Sequence, residues 1–412
     1  MARAARRVGF GLVGGTLAET VTAGVDAFCM SLLSPDEAGV PAAEALWPTD
    51  FTVLPEEPNT RRKEVAYRAM DEWLDHMANS PRTHTEWLTW LWHGHFVVAQ
   101  PQVRNPQFMV DNIQLLRTKG AGSFADLVSE VATDPAMLLF LDGNDNQKEA
   151  PNENFSRELL ELFTLGIGNY TEDDIDSGAS ALTGWKIDRK TLQTRKYDDR
   201  HDSAEQPYLG ATVTDLDGVV KAIMAQPAVA TFIAGRLARR IIGPNPPADV
   251  VTKAAAAFKD SGFQVSALVA NLTDALLAGA DSGPLILDPV HWYIAARRAT
   301  KSPRGDDVRG MLNSAGQLPW YCPSVGGWPF HDGWSRSAVV VGRFNLAGVI
   351  VEQTPVDSPA MAAATASDGP GLALALGLGA DFSEASWKAI STPKDAGSRL
   401  MLALVSPEFV SA

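Results

Sequence analysis

Three carboxylates and an arginine lie within ten residues of an otherwise apolar, helix-forming run. Glu153 and Arg157 are four residues apart, and Glu158 and Glu161 are three apart, so each pair lies on neighbouring turns of a helix. Leucines and a phenylalanine surround them, so we expect at least one carboxylate to be drawn into a packed environment. Such a group must pair, bind a cation or hold a proton. The run therefore predicts a carboxylate site for general acid–base catalysis or for a divalent metal, with Glu158 the favoured member.

A structural role is the alternative for the same residues. Arg157 can pair with Glu153 or Glu161 one turn away, and Asn152 or Asn154 can cap the start of the helix. In that interpretation the polar side chains only fix the helix in place.

Histidines elsewhere in the chain could complete a metal site. His93 and His95 fall in a predicted helix over residues 87–98, where side chains two positions apart point to different sides, so only one can face a given site. His201 and Asp202 follow in a polar loop. A bound divalent metal would activate water for hydrolysis. The predicted metal ligands are Glu158, Glu161, His95, His201 and Asp202.

We predict an enzyme with a single site made of carboxylate and histidine side chains. Hydrolysis is the reaction class that assumes least about this site. The predicted catalytic residues are Glu158, Glu161, Arg157 and His201. The predicted substrate-binding residues are Asn152, Asn154, Trp185 and Trp328. The substrate stays open between a small molecule and a polymer. The alternative is a non-catalytic helical scaffold, in which the polar residues form a buried network and the aromatic loop over residues 319–334 docks a protein partner.

Several segments resemble the DUF1800 family of bacterial proteins, which has no established function. The segments that carry the resemblance are 6–11, 92–96, 134–137, 151–166, 170–174, 181–185, 201–202 and 323–328. The resemblance spans nearly the whole chain and implies a mostly helical fold, without supplying a substrate or catalytic residues. It also implies a protein partner, because relatives are often encoded beside a sulfatase-like companion. His291 stands where the family commonly has an acidic residue, and Gln206 where lysine is common.

Hydrophobic periodicity predicts a mainly α fold. We expect one multi-helix body over residues 1–412, with two lobes (1–212 and 213–412) as an alternative, and a small β-hairpin near residues 186–210. Helices are predicted over residues 16–33, 63–79 and 153–163, among others. Thr171 with Asp174 predicts a capping box at the start of a further helix.

Charge and composition limit the class of partner. The net charge of −14 argues against nucleic acid, whose phosphates require a basic face. The longest apolar stretches are broken by charges or glycines, so no membrane span is expected. Only Cys29 and Cys322 occur, which excludes a disulfide framework. The basic start with Arg6 and Arg7 mimics a secretion signal, but its apolar part is short and glycine-rich. A cytoplasmic location is favoured and export is the alternative.

Overall fold

The computed structural model describes residues 1–12, 22, 24, 28, 46–47, 51–53, 57–188 and 190–412. Helices dominate these residues, which confirms the mainly α prediction. The helix predicted over residues 16–33 lies almost entirely outside them, and so does Cys29. The division into two lobes stays a prediction.

Nine α-helices precede the strands in the described part of the chain. They are α1 (Ala2–Arg7), α2 (Asn59–Asn79), α3 (Thr83–His93), α4 (Gln100–Val103), α5 (Pro106–Lys119), α6 (Phe124–Ala132), α7 (Pro135–Phe140), α8 (Glu153–Glu158) and α9 (Glu172–Ala181). A π-helix, Leu159–Thr164, continues α8 without a break. The capping box predicted at Thr171 and Asp174 is present at the start of α9.

Two short antiparallel hairpins follow α9. Strand β1 (Trp185–Ile187) pairs with β2 (Thr194–Lys196), and Trp185 stands opposite Lys196. Strand β3 (Gln206–Tyr208) pairs with β4 (Ala211–Val213). The predicted hairpin near residues 186–210 is therefore confirmed, and a second one extends beyond that range.

Twelve α-helices follow the strands. They are α10 (Leu216–Met224), α11 (Pro227–Ile241), α12 (Ala248–Asp260), α13 (Val265–Leu277), α14 (Pro289–Thr300), α15 (Val308–Ser314), α16 (Ser337–Gln353), α17 (Pro359–Ala366), α18 (Gly369–Ala375), α19 (Glu384–Ser391), α20 (Ala396–Leu404) and α21 (Pro407–Val410). Helices α11, α12 and α13 pack against one another, and α16 packs against α14, α15 and α20. Among the described helices, no single one has the length and apolarity to cross a membrane, although α10 and α11, bent by 76°, pass that test as a pair.

Local sequence explains where many helices begin. Asp134, Asp288, Ser358 and Ser406 each accept a hydrogen bond from a backbone amide of the first turn, and each is followed by proline. The side-chain oxygen satisfies one amide that would otherwise lack a partner, and proline has no N–H to leave unpaired. Apolar side chains from Ala4 to Ala412 then form one contiguous buried cluster.

Two buried arginines hold the two ends of the chain together. Arg6 donates to the carbonyls of Glu408 and Ser411 at 3.0 and 2.9 Å, and also to that of Phe409. Arg7 donates to the carbonyls of Ile241, Ile242, Gly283 and Ala412 at 2.6–3.0 Å. Arg6 and Arg7 thus belong to the folded body.

Candidate functional site

Two asparagines position the start of α8. The Asn152 side chain accepts a hydrogen bond from the Asn154 amide at 2.9 Å and so caps the helix. The Asn152 amide in turn donates to Asn146, whose own side chain donates to the Ala179 carbonyl in α9. The Asn154 side chain donates to Asp142 at 3.2 Å. Both predicted substrate-binding asparagines therefore have protein partners, and the substrate role stays a prediction.

Arg157 and Ser156 fix α8 against α9. Arg157 forms a two-pronged ion pair with Glu172, at 3.0 and 2.8 Å, and also contacts Glu153 at 3.0 Å. Hydrogen bonding to Glu172 raises the pKa of Arg157 further above its usual range. The Ser156 hydroxyl donates to the Ile175 carbonyl at 2.8 Å. These bonds fix the position of the first turn of α9 relative to the carboxylates of α8.

The helix that carries the two central glutamates changes its winding. An α-helix is predicted over residues 153–163, but from Leu159 to Thr164 the backbone is π-helical. The amide of Leu165 bonds to the carbonyl of Leu160, five residues back, at 3.0 Å. The Thr164 hydroxyl donates to the Leu159 carbonyl at 2.5 Å. π-Helical turns are rare and occur frequently at functional sites.

Gly166 ends this π-helical turn. Its φ of +80° is a conformation that favours glycine. A Cβ atom at this position would lie 2.8 Å from the Phe232 ring of α11. Close packing on α11 therefore requires glycine here and fixes the end of the segment that carries Glu161.

Glu158 and Glu161 have different surroundings. Glu158 is half-buried, and no described side chain donates a hydrogen bond to it. Burial raises its pKa, the charge of Glu161 adds to the effect, and Arg157 opposes it. Glu161 accepts a hydrogen bond from the Tyr170 hydroxyl at 3.0 Å. Burial, together with this bond, raises the pKa of Tyr170 to about 12, so the hydroxyl stays a donor.

Tyr170 is the residue that sequence analysis missed. It appears in the family signature, but nothing in its spacing relates it to Glu161. Its position follows from Thr171, the next residue, which caps α9. The available signal was the position of Tyr170 directly before this cap, because α9 packs on α8, the helix that carries Glu158.

His93 ends α3 and is sealed in the core. The helix predicted over residues 87–98 is wrong at its C-terminal end, because the chain leaves the helix at Gly94. The His93 side chain is completely buried, and its Nε2 accepts a hydrogen bond from the Trp320 amide at 3.1 Å. Burial lowers the pKa of His93 to about 3, so the ring is neutral.

His95 is also buried. Its Nε2 donates to the carbonyl of Phe163 at 3.0 Å. Burial lowers the pKa of His95 well below its usual value, and the charge of Arg236 acts in the same direction. His95 therefore contacts the backbone of the π-helix, while no hydrogen bond or ion pair among the described residues joins it to Glu158 or Glu161.

His201 and Asp202 organise their own loop. His201 Nδ1 lies 3.0 Å from the carbonyl of Thr183, and the Asp202 amide donates to the Thr183 hydroxyl at 2.7 Å. The Asp202 carboxylate accepts hydrogen bonds from the Ala204 amide and the Gln206 side chain. Gln206, which stands where lysine is common in the family, thus serves as a donor to Asp202.

The remaining predicted residues lie in other surroundings. Trp185 is half-buried in β1. Trp328 stacks on Trp90 of α3, with ring centroids 5.3 Å apart. In the part of the chain that the structure describes, no group of three or more His, Cys, Asp or Glu side chains could hold a metal ion. The predicted ligands are thus not assembled into one such group.

The geometry defines a mainly helical protein in which one carboxylate, Glu158, ends α8 and a second, Glu161, lies on the π-helical turn that continues it. A family model described as a protein of unknown function, DUF1800, matches residues 3–411, and the chain belongs to this family. Comparisons with curated proteins and with solved structures give no match. Membership confirms the resemblance inferred from the motifs and assigns no chemistry.

Proposed function

We propose that this protein is an enzyme whose general acid–base pair is Glu158 and Glu161. The observation that carries the proposal is the contrast between these two neighbouring carboxyl groups. Glu158 is half-buried, lacks a hydrogen-bond donor among the described residues and has a raised pKa, whereas Glu161 is held by the Tyr170 hydroxyl. A carboxyl group with a raised pKa next to a second carboxyl group that is oriented by a hydrogen bond is typical of acid–base sites.

The two carboxyl groups would have different roles. Glu158, which keeps its proton to a higher pH than an exposed glutamate, would donate that proton to a leaving group. Glu161, whose acceptor oxygen is oriented by Tyr170, would take a proton from attacking water. Arg157 would act as a positioning residue, because its ion pair with Glu172 fixes α8 against α9. Hydrolysis is the reaction class that these roles describe.

The metal-dependent form of the hypothesis has less support. It would require ligands in addition to the two glutamates, and His95 uses its Nε2 in the bond to Phe163. Because Glu158 is only half-buried, we favour an extended substrate that would cover the part of this carboxyl group that solvent still reaches. Ile167, which is 78% exposed just beyond the π-helix, offers an apolar contact for it.

Substitution of Glu158 by glutamine tests the acid–base role. On a panel of chromogenic glycosides, esters and phosphoesters, we expect kcat/KM for the turned-over substrate to fall by about 100-fold or more, the usual contribution of one acid–base group. The free energy of unfolding should change by less than about 1 kcal/mol, because Glu158 has no hydrogen bond to lose. Glu149→Gln, an exposed glutamate in the loop before α8, is the matched control and should keep full activity.

A second measurement needs no substrate. A carbodiimide reacts with protonated carboxyl groups, so we expect Glu158 to be labelled at a higher pH than Glu149, as read by peptide mass spectrometry. Equal labelling of the two would remove the basis of the proposal. A Glu158→Gln variant that loses stability but no activity would favour the scaffold alternative.

A further inference from the structure

Helix α16 (Ser337–Gln353) presents large apolar side chains to solvent. Val340, Val341 and Phe344 are 55%, 58% and 46% exposed. Up to residue 351 the helix has one charged side chain, Arg343, which is buried and bonds to backbone carbonyls. The exposed side therefore carries no charge over about four turns. A helix that is apolar on every side is normally covered on every side.

The exposed side of α16 has the spacing of a helix-pairing surface. Its residues follow one another at intervals of three and four positions. Four of them are exposed and Gly348 is partly exposed. Helices that pack side by side along their length use this spacing. The residues of this surface are Ala338, Val341, Asn345, Gly348 and Glu352.

Gly348 leaves a gap in this surface. A Cβ atom at this position would meet no other heavy atom within 4 Å, so the backbone is open there. Glycine weakens the interior of a helix, and no contact among the described residues requires it at this position. A side chain from another molecule can enter the gap.

The two ends of α16 carry charges that oppose the helix dipole. The N-cap residue is Arg336, whose side chain has no acceptor for the amides of the first turn. The amides of Ser337 and Ala338 accordingly donate to no described residue. The last turn holds the exposed Glu352 and no basic residue. A helix dipole favours an anion at the N-terminus and a cation at the C-terminus, so each end has the charge that suits the other end.

An antiparallel second copy of the helix matches all of these features with one axis. If a two-fold axis passes Asn345, Ala338 lies opposite Glu352 of the second copy, because both are seven positions from the axis. The carboxylate then reaches the open N-terminus of the other helix. Val341 lies opposite the Gly348 gap. The two Asn345 amides can bond to each other, as polar pairs do where they set the register of paired helices.

We propose that α16 is the contact surface of a symmetric dimer of this chain, in which two copies of the helix pack antiparallel about Asn345. The surface shares no residue with the Glu158–Glu161 pair, so it goes beyond the acid–base proposal. A helix of 17 residues is only about 26 Å long, and its contact is smaller than a standard interface of about 800 Å² per partner. We therefore expect a reversible dimer with a dissociation constant of about 1–100 μM.

Sedimentation velocity of the full chain from about 1 to about 300 μM measures the dimer. Each copy carries a net charge of −14, so the buffer contains 0.15 M NaCl, in which charges more than about 8 Å apart are largely screened. We expect the sedimentation coefficient to rise with concentration. A native chain that stays monomeric at about 300 μM would overturn the proposal.

Gly348→Leu fills the gap and should raise the dissociation constant at least about tenfold. The protomer has room for the new side chain, and leucine favours a helix more than glycine does. The urea midpoint at about 1 μM, where the native chain is monomeric, should therefore stay unchanged or rise. Ala256→Leu is the matched control, because it adds a leucine to an exposed position of α12. Equal dimerisation of Gly348→Leu and the native chain would contradict the assignment.

Glu352→Lys tests the ends of the helix by a second route. The lysine of each copy would face the open N-terminus and Arg336 of the other, so we expect at least about tenfold weaker dimerisation. The protomer should stay stable, because a cation suits its own helix C-terminus. Glu149→Lys makes the same charge change at an exposed loop position and should leave the dimer intact. Equal weakening in both variants would contradict the pairing.

Disulfide crosslinking tests the register and direction of the helices. Asn345→Cys should give a covalent dimer on mild oxidation, because residue 345 of each copy lies on the axis. Ala338→Cys should not, since its two copies would be about 21 Å apart along the helices and a disulfide needs Cα atoms within about 7 Å. The native chain, oxidised in parallel, gives the background from its own cysteines. Crosslinking of both variants, as in a parallel pair, or no crosslink at Asn345→Cys would overturn the proposal.

Discussion

Replacement of Arg7 by methionine is expected to lower the free energy of unfolding by about 3–5 kcal/mol, the range for breaking a buried, charged hydrogen-bond network. Arg7 is 1% exposed and donates to four backbone carbonyls. After the change, the carbonyls of Ile242 and Ala412 still accept other backbone amides. Those of Ile241 and Gly283 lose the donors described for them, and a buried unpaired carbonyl costs about 1–3 kcal/mol. Urea unfolding measures the loss.

Arg3→Met is the matched control for this substitution. Arg3 and Arg7 both pair with Asp281. The Arg3 side chain, however, is 55% exposed, and exposed ion pairs contribute at most about 1 kcal/mol. We expect the control to unfold close to the native midpoint. If Arg7→Met were as stable as Arg3→Met, the hydrogen bonds between the chain ends would contribute little to stability.

Local signals in the sequence were sufficient for much of the fold. Thr171 with Asp174 and the apolar spacing over residues 63–79 predict elements that the structure contains, because caps and amphipathic faces depend on residues a few positions apart. The hairpin at Trp185 was predictable for a related reason: its segment lacks a helical apolar stripe.

The π-helical turn could not be predicted in this way. The run from Leu159 to Thr164 has ordinary α-helical spacing, and its winding is accompanied by the Thr164 bond to a backbone carbonyl and by the packing of Gly166 on Phe232. Phe232 belongs to α11, so this contact depends on tertiary structure. Propensity is routinely overridden by such packing.

The positions of the histidines and of Trp90 also depend on distant contacts. His93 and His95 have residue types suited to metal binding, but burial against Trp320 and Phe163 decides their state. The Trp90 bond to Asp288 joins residues 198 positions apart. Residue type and spacing therefore identify groups that could do chemistry, whereas the partners that determine their protonation come from the fold.

Asp134→Asn is expected to raise the free energy of unfolding above that of the native chain at pH 8. At pH 4 the two free energies should differ little. Asp134 is 4% exposed, and burial raises its pKa from 3.8 to about 7, against the hydrogen bonds from Met137 and Asn112. A carboxyl group with a raised folded-state pKa favours folding most when it is protonated. Its contribution is present below the unfolded-state pKa and is lost as the pH rises through about 7.

The size of the effect follows from the two pKa values. A difference of about three units corresponds to on the order of 4 kcal/mol between pH 4 and pH 8, and asparagine, which cannot ionise, avoids this loss. Asparagine also retains an acceptor oxygen for the Met137 amide, so α7 stays capped. Urea unfolding of both proteins at several pH values gives the difference directly.

Asp126→Asn, an exposed change in the first turn of α6, should show no comparable trend. A difference between Asp134→Asn and the native chain that stays constant from pH 4 to pH 8 would mean that the Asp134 carboxyl ionises normally in the folded protein.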